Sequence, residues 1–166
     1  MIEKVTPEQC VEFAIQTEQI GAQMYGDLAR KFSSDRELRE LFEGLAQDEV
    51  QHGDHFRALR DRLVPRFRDQ PVSTEQQDYL RAMSMSDVFD TEALARRVDG
   101  IQSREDALER ALHLEKATLG YYQAMREILG ADEVLDALIA VEKKHVVKVM
   151  QLLLTGAKFR GLADSY

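Results

Sequence analysis

Two tetrapeptides in this chain share one chemical pattern, Glu49-Val50-Gln51-His52 and Glu142-Lys143-Lys144-His145. Residues three apart on a helix lie on one face with Cβ atoms about 5–6 Å apart, so each glutamate and its histidine can serve one point in space. Each pair follows a helical segment carrying a glutamate with a tyrosine seven residues later, Glu18 with Tyr25 and Glu115 with Tyr122. Four glutamates and two histidines, delivered in matched halves, form the ligand set of a two-metal site inside a four-helix bundle. Carboxylate and imidazole donors of this kind suit iron or manganese as well as zinc. The competing reading makes these glutamates ordinary solvated helix residues. It conflicts with the apolar surroundings of Glu18 (Ile15, Met24, Leu28) and of Glu142 (Leu138, Val141, Val146). A buried carboxylate without a partner is costly or stays protonated.

Four helices must position these side chains. Thr6-Pro7-Glu8-Gln9 opens the first, with Thr6 as cap, Pro7 at the first helical position and Gln9 closing a capping box. Val11, Ile15, Met24 and Leu28 then recur at helical spacing to about Phe32. Ser33-Ser34 breaks this helix, and Ser34-Asp35-Arg36-Glu37 reads as a second capping box. Helix two is expected to reach about Leu63, where Pro65 and Pro71 stop it. Residues 64 to about 102 hold short helical pieces, Thr74–Met83 and Thr91–Val98, and too few apolar residues for a core of their own. They read as a crossover connection. Ser103-Arg104-Glu105-Asp106 opens helix three, which ends near Leu129 and Gly130. Helix four spans about Asp132 to Leu154, with Gly156 beyond it.

Glu18 and Glu49 are 31 residues apart with their midpoint at Ser33–Ser34. An antiparallel hairpin therefore sets them level, each about 22 Å from the turn at a rise of about 1.5 Å per residue. Glu115 and Glu142 are 27 apart with a midpoint just before Leu129 and Gly130, level to within one turn. Two such hairpins packed face to face enclose six ligands. The fold class is all-α, a four-helix bundle of two antiparallel hairpins joined by a long crossover, expected to form a single domain over residues 1–166.

Composition agrees. Of 166 residues, 44% are hydrophobic and 31% charged, and only 3 Pro and 9 Gly interrupt helices. The net charge of -8 argues against a nucleic-acid partner, whose phosphates need a basic surface. No apolar run approaches the roughly 20 residues of a membrane span, so no membrane is expected. Met1-Ile2-Glu3-Lys4 lacks the apolar core of a signal peptide, and a cytoplasmic location is the default. Cys10 is alone, which excludes a disulfide framework or a cysteine-pair metal module within these residues.

From about residue 6 to residue 156 the chain resembles the rubrerythrin branch of the ferritin-like superfamily. The resemblance rests on Glu18, Glu49-x-x-His52, Glu115 and Glu142-x-x-His145. It implies a ferritin-like fold and a di-iron carboxylate centre: Glu18 and Glu115 as single carboxylates of the first and third helices, the two Glu-x-x-His motifs as the remaining ligands, and Tyr25 beside the centre hydrogen-bonding a ligand carboxylate. The chain departs from that pattern in three places. There is no four-cysteine rubredoxin module, so a separate donor protein, such as a rubredoxin or a reductase, must supply electrons. Leu112 stands where the family has an additional carboxylate one turn before the third-helix ligand. Gly120 stands where a third-helix tyrosine is expected, and Tyr122 is its substitute.

The expected chemistry is reduction of peroxide or dioxygen at a pair of irons. Glu49 and Glu142 would bridge or chelate, Glu18 and Glu115 would be terminal, and His52 and His145 would each bind one metal. Tyr25 and Tyr122 would orient carboxylates from outside the ligand set. The alternatives are an iron-binding or iron-oxidising module without peroxidase turnover, and an interaction protein with a structural metal. His55 reads as a partly exposed helix histidine, His113 as a non-ligand, and Cys10 as a small buried residue. Met83, Met85, Met125 and Met150 read as packing residues. Helix four is apolar over more than one face (Val146, Val147, Val149, Met150, Leu152–Leu154), which suits burial beneath the crossover or a homodimer surface.

Overall fold

A computed structural model describes residues 6–67, 73–75, 78 and 98–163. Among them run four long helices: α1 (Pro7–Lys31), α2 (Arg36–Phe67), α3 (Arg104–Leu129) and α4 (Glu133–Ala163). No strand occurs among the described residues, and no helix there is long and apolar enough to cross a membrane. The described residues form an all-helical bundle.

The helix starts follow local chemistry. The Thr6 hydroxyl accepts from Gln9 N at 3.1 Å and the Gln9 side chain accepts from Thr6 N at 2.8 Å, closing the expected box. The cap of α2 falls one residue later than the sequence suggests. Asp35, not Ser34, accepts from Leu38 N at 3.1 Å, and Glu37 turns away to pair with Arg104. Both residues cap well, but only Asp35 also meets the Arg104 guanidinium, at 2.6 Å, from the start of α3. Ser103 caps α3 through Asp106 N at 3.0 Å. Asp132 caps α4 through Val134 N and Leu135 N at 2.9 and 3.3 Å.

The helix ends differ more. Gly130 terminates α3 with φ 81°, a conformation that disfavours any Cβ, and donates its N–H to Arg126 O at 2.9 Å. α2 continues past Pro65 to Phe67, and α4 continues through Gly156 to Ala163. A proline removes one donor and a glycine costs about 1 kcal/mol in a helix interior, but neither forbids another turn. The crossover expected from residue 64 thus begins later. Its pieces Thr74–Met83 and Thr91–Val98, together with Pro71, Met83 and Met85, lie almost wholly outside the described residues. At its far end Val98 and Ile101 are buried in the core, and Lys31 Nζ donates to the carbonyls of Val98 and Asp99 at 2.7 and 2.9 Å.

α1 packs chiefly on α2 and α3 on α4, each pair antiparallel across a short turn. The hairpins meet α1 against α3 and α2 against α4. The interior is divided along the bundle axis into two apolar clusters. One contains Tyr25, Leu28, Phe42, Leu45 and Leu108, and the other Val11, Ile15, Phe56, Tyr122 and Leu138. In every helix the predicted ligands fall between residues of one cluster and residues of the other, so the polar layer is closed above and below by apolar side chains.

Candidate metal centre

All six predicted ligands converge in this layer. Glu18, Glu49, His52, Glu115, Glu142 and His145 are each buried to 4% exposure or less. They fall into two groups whose ligand atoms lie within 4.8 Å of one another: Glu18, Glu49, His52 and Glu142, and Glu49, Glu115, Glu142 and His145. Glu49 and Glu142 belong to both. These buried Glu/His groups can hold metal ions.

The two imidazoles face inward by the same edge. His52 Nδ1 lies 2.9 Å from Glu142 Oε1, 3.0 Å from Glu49 Oε2 and 3.7 Å from Glu18 Oε2. His145 Nδ1 lies 3.3 Å from Glu115 Oε2 and 3.6 Å from Glu142 Oε2. The rings stack with centroids 5.5 Å apart. Tyrosines reach the layer from either side. Tyr25, in one apolar cluster, donates its hydroxyl to Glu115 Oε1, and Tyr122, in the other, donates to Glu18 Oε1. The exchange is crosswise: the α1 tyrosine holds the α3 carboxylate, and the α3 tyrosine holds the α1 carboxylate. Phe42 stacks on Tyr25 at 6.0 Å and Phe56 tilts against Tyr122 at 4.7 Å, which fixes both rings.

The fit to cations is set by what the protein leaves unsatisfied. Glu18 Oε2, Glu115 Oε2, both Glu142 oxygens and His145 Nδ1 are buried without a hydrogen bond of proper geometry. Orphaned polar atoms are rare in interiors because each costs about 1–3 kcal/mol, more when charged. Here they share one space, and cations at that space would satisfy all of them. Without metal the layer keeps protons. Burial, then the charges of Glu18 and Glu142, push Glu49 well above the carboxylate range. Burial likewise raises Glu115 against the opposing pull of His145. Burial disfavours a charged His52, but the nearby carboxylates of Glu142 and Glu18 outweigh it and lift the imidazole to about 9. His145 rises to about 10 for the same reason, with Glu115 and Glu142 as partners. Glu142 is held low, because the two nearby imidazoles outweigh its burial.

The remaining candidates fall elsewhere. His55 and His113 are exposed and belong to neither group. Cys10 is buried, and its thiol is pushed up to about 12 by that burial. Leu112 is buried in the apolar cluster that contains Tyr25, Met125 in the other, and Met150 is partly buried against the first.

Two contributors escape a reading of the sequence. Asp48 Oδ2 lies 3.1 Å from His145 Nε2, fixing the outer edge of that ring. Its adjacency to Glu49 is the only local hint. Gly21 is the other: a Cβ there would lie 3.3 Å from Glu49 Cγ, so the missing side chain is the room in which Glu49 lies. A glycine three residues after Glu18 in mid-helix is the signal, since such a residue weakens a helix and calls for a packing reason.

Comparison of the chain with protein families, curated proteins and solved structures returned no match.

Proposed function

We propose that this chain is a two-metal carboxylate protein of the rubrerythrin-like, ferritin-like kind. In this reading it is an oxidoreductase that reduces peroxide or dioxygen with electrons from a donor outside these 166 residues, such as a rubredoxin or a reductase. The observation that carries the reading is the pair of four-ligand groups sharing Glu49 and Glu142. The order of directions in the bundle, α1 and α2 as one hairpin and α3 and α4 as the other, supports the ferritin-like assignment.

Glu18 with His52, and Glu115 with His145, would each serve one metal, while Glu49 and Glu142 serve both. A bound iron pair supplies two electrons at one place. The protein's part is to hold and to shield. A proton on His145 Nε2, donated to Asp48, leaves Nδ1 as the metal-facing lone pair. Tyr25 and Tyr122 hold the two terminal carboxylates. The apolar clusters on either side keep bulk water from the layer.

Anaerobic loading with ferrous iron, followed by peroxide and by dioxygen under optical or Mössbauer observation, tests the proposal. Two irons bound per chain and repeated turnover with a reductant are expected. Turnover equal to that of Glu49→Ala would overturn it. A second reading, iron binding or oxidation without peroxidase turnover, is favoured by Leu112, which places an apolar side chain one turn before Glu115. A single round of ferrous oxidation would select that reading. Val147 and Leu154, exposed on α4, support a homodimer, and light scattering that gave only monomer would argue against it.

A further inference from the structure

The two histidines differ at their outer edges. His145 Nε2 is taken by Asp48. His52 makes its polar contacts through Nδ1, and its Nε2 has no hydrogen-bond partner among the described residues. His52 also lines a cavity of about 330 Å³ between α2 and α4. The wall opposite is apolar and comes from α4: Val134, Ala137, Leu138 and Val141. The rest of the lining is polar: Asp48, Gln51 and His55 from α2 and Glu133 from α4.

We infer that this cavity binds a small molecule with an apolar ring and a hydroxyl group, the ring against Val134, Leu138 and Val141 and the hydroxyl on His52 Nε2. The volume lies at the lower end of the roughly 300–1,000 Å³ usual for small-molecule sites and far exceeds the about 30 Å³ of one water. A hydroxyl both donates and accepts, so it pairs with Nε2 whether that nitrogen carries a proton or a lone pair. The inference goes beyond the metal reading and does not need it, because the cavity and the ring edge exist without bound metal.

The test uses para-cresol as probe on full-length nitrogen-labelled protein, metal-free and zinc-loaded, with the histidine ring nitrogens followed by NMR. A saturable shift at His52, and none at His145, is expected in both states. Ala137→Phe places a ring in the cavity from an exposed position, and should weaken para-cresol at least about tenfold. Val134→Phe is the second variant should the first lower the thermal midpoint. Absence of a saturable shift, or a shift that survives both variants, overturns the inference. Zinc stoichiometry is measured separately: zinc that fails to bind while para-cresol binds counts only against the metal reading, and the reverse counts only against this one.

Discussion

Glu49 and Glu142 stand on different hairpins, on α2 and α4, yet each lies within reach of both histidine-bearing ligand groups. This sharing makes the two groups one centre. It also ranks the ligands by the number of metal positions each would serve.

Removal of a shared ligand should therefore cost more than removal of a terminal one. Glu49→Ala and Glu142→Ala are expected to lower bound metal from two per chain to below one. Glu18→Ala and Glu115→Ala should each lose chiefly the metal on their own side. Elemental analysis after equilibrium dialysis distinguishes these outcomes. Equal losses from all four variants would contradict the sharing.

Tyr25→Phe and Tyr122→Phe remove only a hydroxyl from rings that remain packed. Each leaves one oxygen of Glu115 or Glu18 without its donor. Groups of this kind, which hold a ligand in place, contribute about 10–100-fold in metal affinity. Competition with a chromogenic chelator should show a loss of that size. Because the exchange is crosswise, Tyr25→Phe should weaken the His145 side and Tyr122→Phe the His52 side.

Metal-free protein should lose stability as pH rises from neutral. His52 moves from 6.5 to about 9 and His145 from 6.5 to about 10, so the folded state holds more protons than the unfolded chain across that interval. Their contribution is complete below pH 6.5 and is lost as pH climbs through 9 and 10. Glu49 and Glu115, raised by burial, act in the same sense from the carboxylate range upward. Glu142 acts oppositely, its contribution present above 4.5 and lost in acid. The thermal midpoint of stripped protein should fall between pH 6.5 and 10. Divalent metal should flatten the curve and release protons on binding, measurable in weakly buffered solution.

Gly21→Ala should separate stability from metal affinity. Alanine favours a helix interior by about 1 kcal/mol over glycine, so the thermal midpoint should hold or rise. The added methyl, 3.3 Å from Glu49 Cγ, must push that side chain by a few tenths of an ångström. A shared ligand so displaced should bind metal about tenfold more weakly, by analogy with lost supporting contacts. Unchanged affinity would mean that Glu49 accommodates the methyl without leaving its place.

Arg104→Ala should cost about 0.5–1 kcal/mol, the usual worth of partly exposed ion pairs. Arg104 at the start of α3 meets Asp35 at 2.6 Å and also pairs with Glu37, tying the hairpins together at one end. Acid should have the same effect. Burial opposes the ionised form of Asp35 but the bond to Arg104 outweighs it, so the contribution is present above the ordinary carboxylate value and lost as pH falls through the lowered one. Chemical denaturation at low and high salt checks this, with the difference shrinking at high salt.

Residue spacing carried most of this structure. Helical periodicity, the caps at Thr6 and Ser103, and the stop at Gly130 are local features that act within a turn of chain. The convergence of the six Glu and His side chains was legible for a related reason, since a three-residue spacing and a hairpin midpoint are set by helix geometry alone. The far ends of α2 and α4 were not legible, because Pro65 and Gly156 weaken a helix without deciding where it stops. The α2 cap moved from Ser34 to Asp35 because Arg104, distant in sequence, rewards the aspartate.

By itself the amino-acid order determined which side chains share a helix face and at what height they stand, because 3.6 residues per turn and 1.5 Å per residue are properties of the backbone. Only the packed bundle decided what those faces meet. It set Tyr25 on Glu115 and Tyr122 on Glu18, gave Asp48 to His145, and left His52 beside a cavity. These pairings join helices 90 or more residues apart in three of the four cases, and they depend on how two hairpins rotate against each other. That rotation is settled by close packing of the two apolar clusters, which no spacing within one helix records.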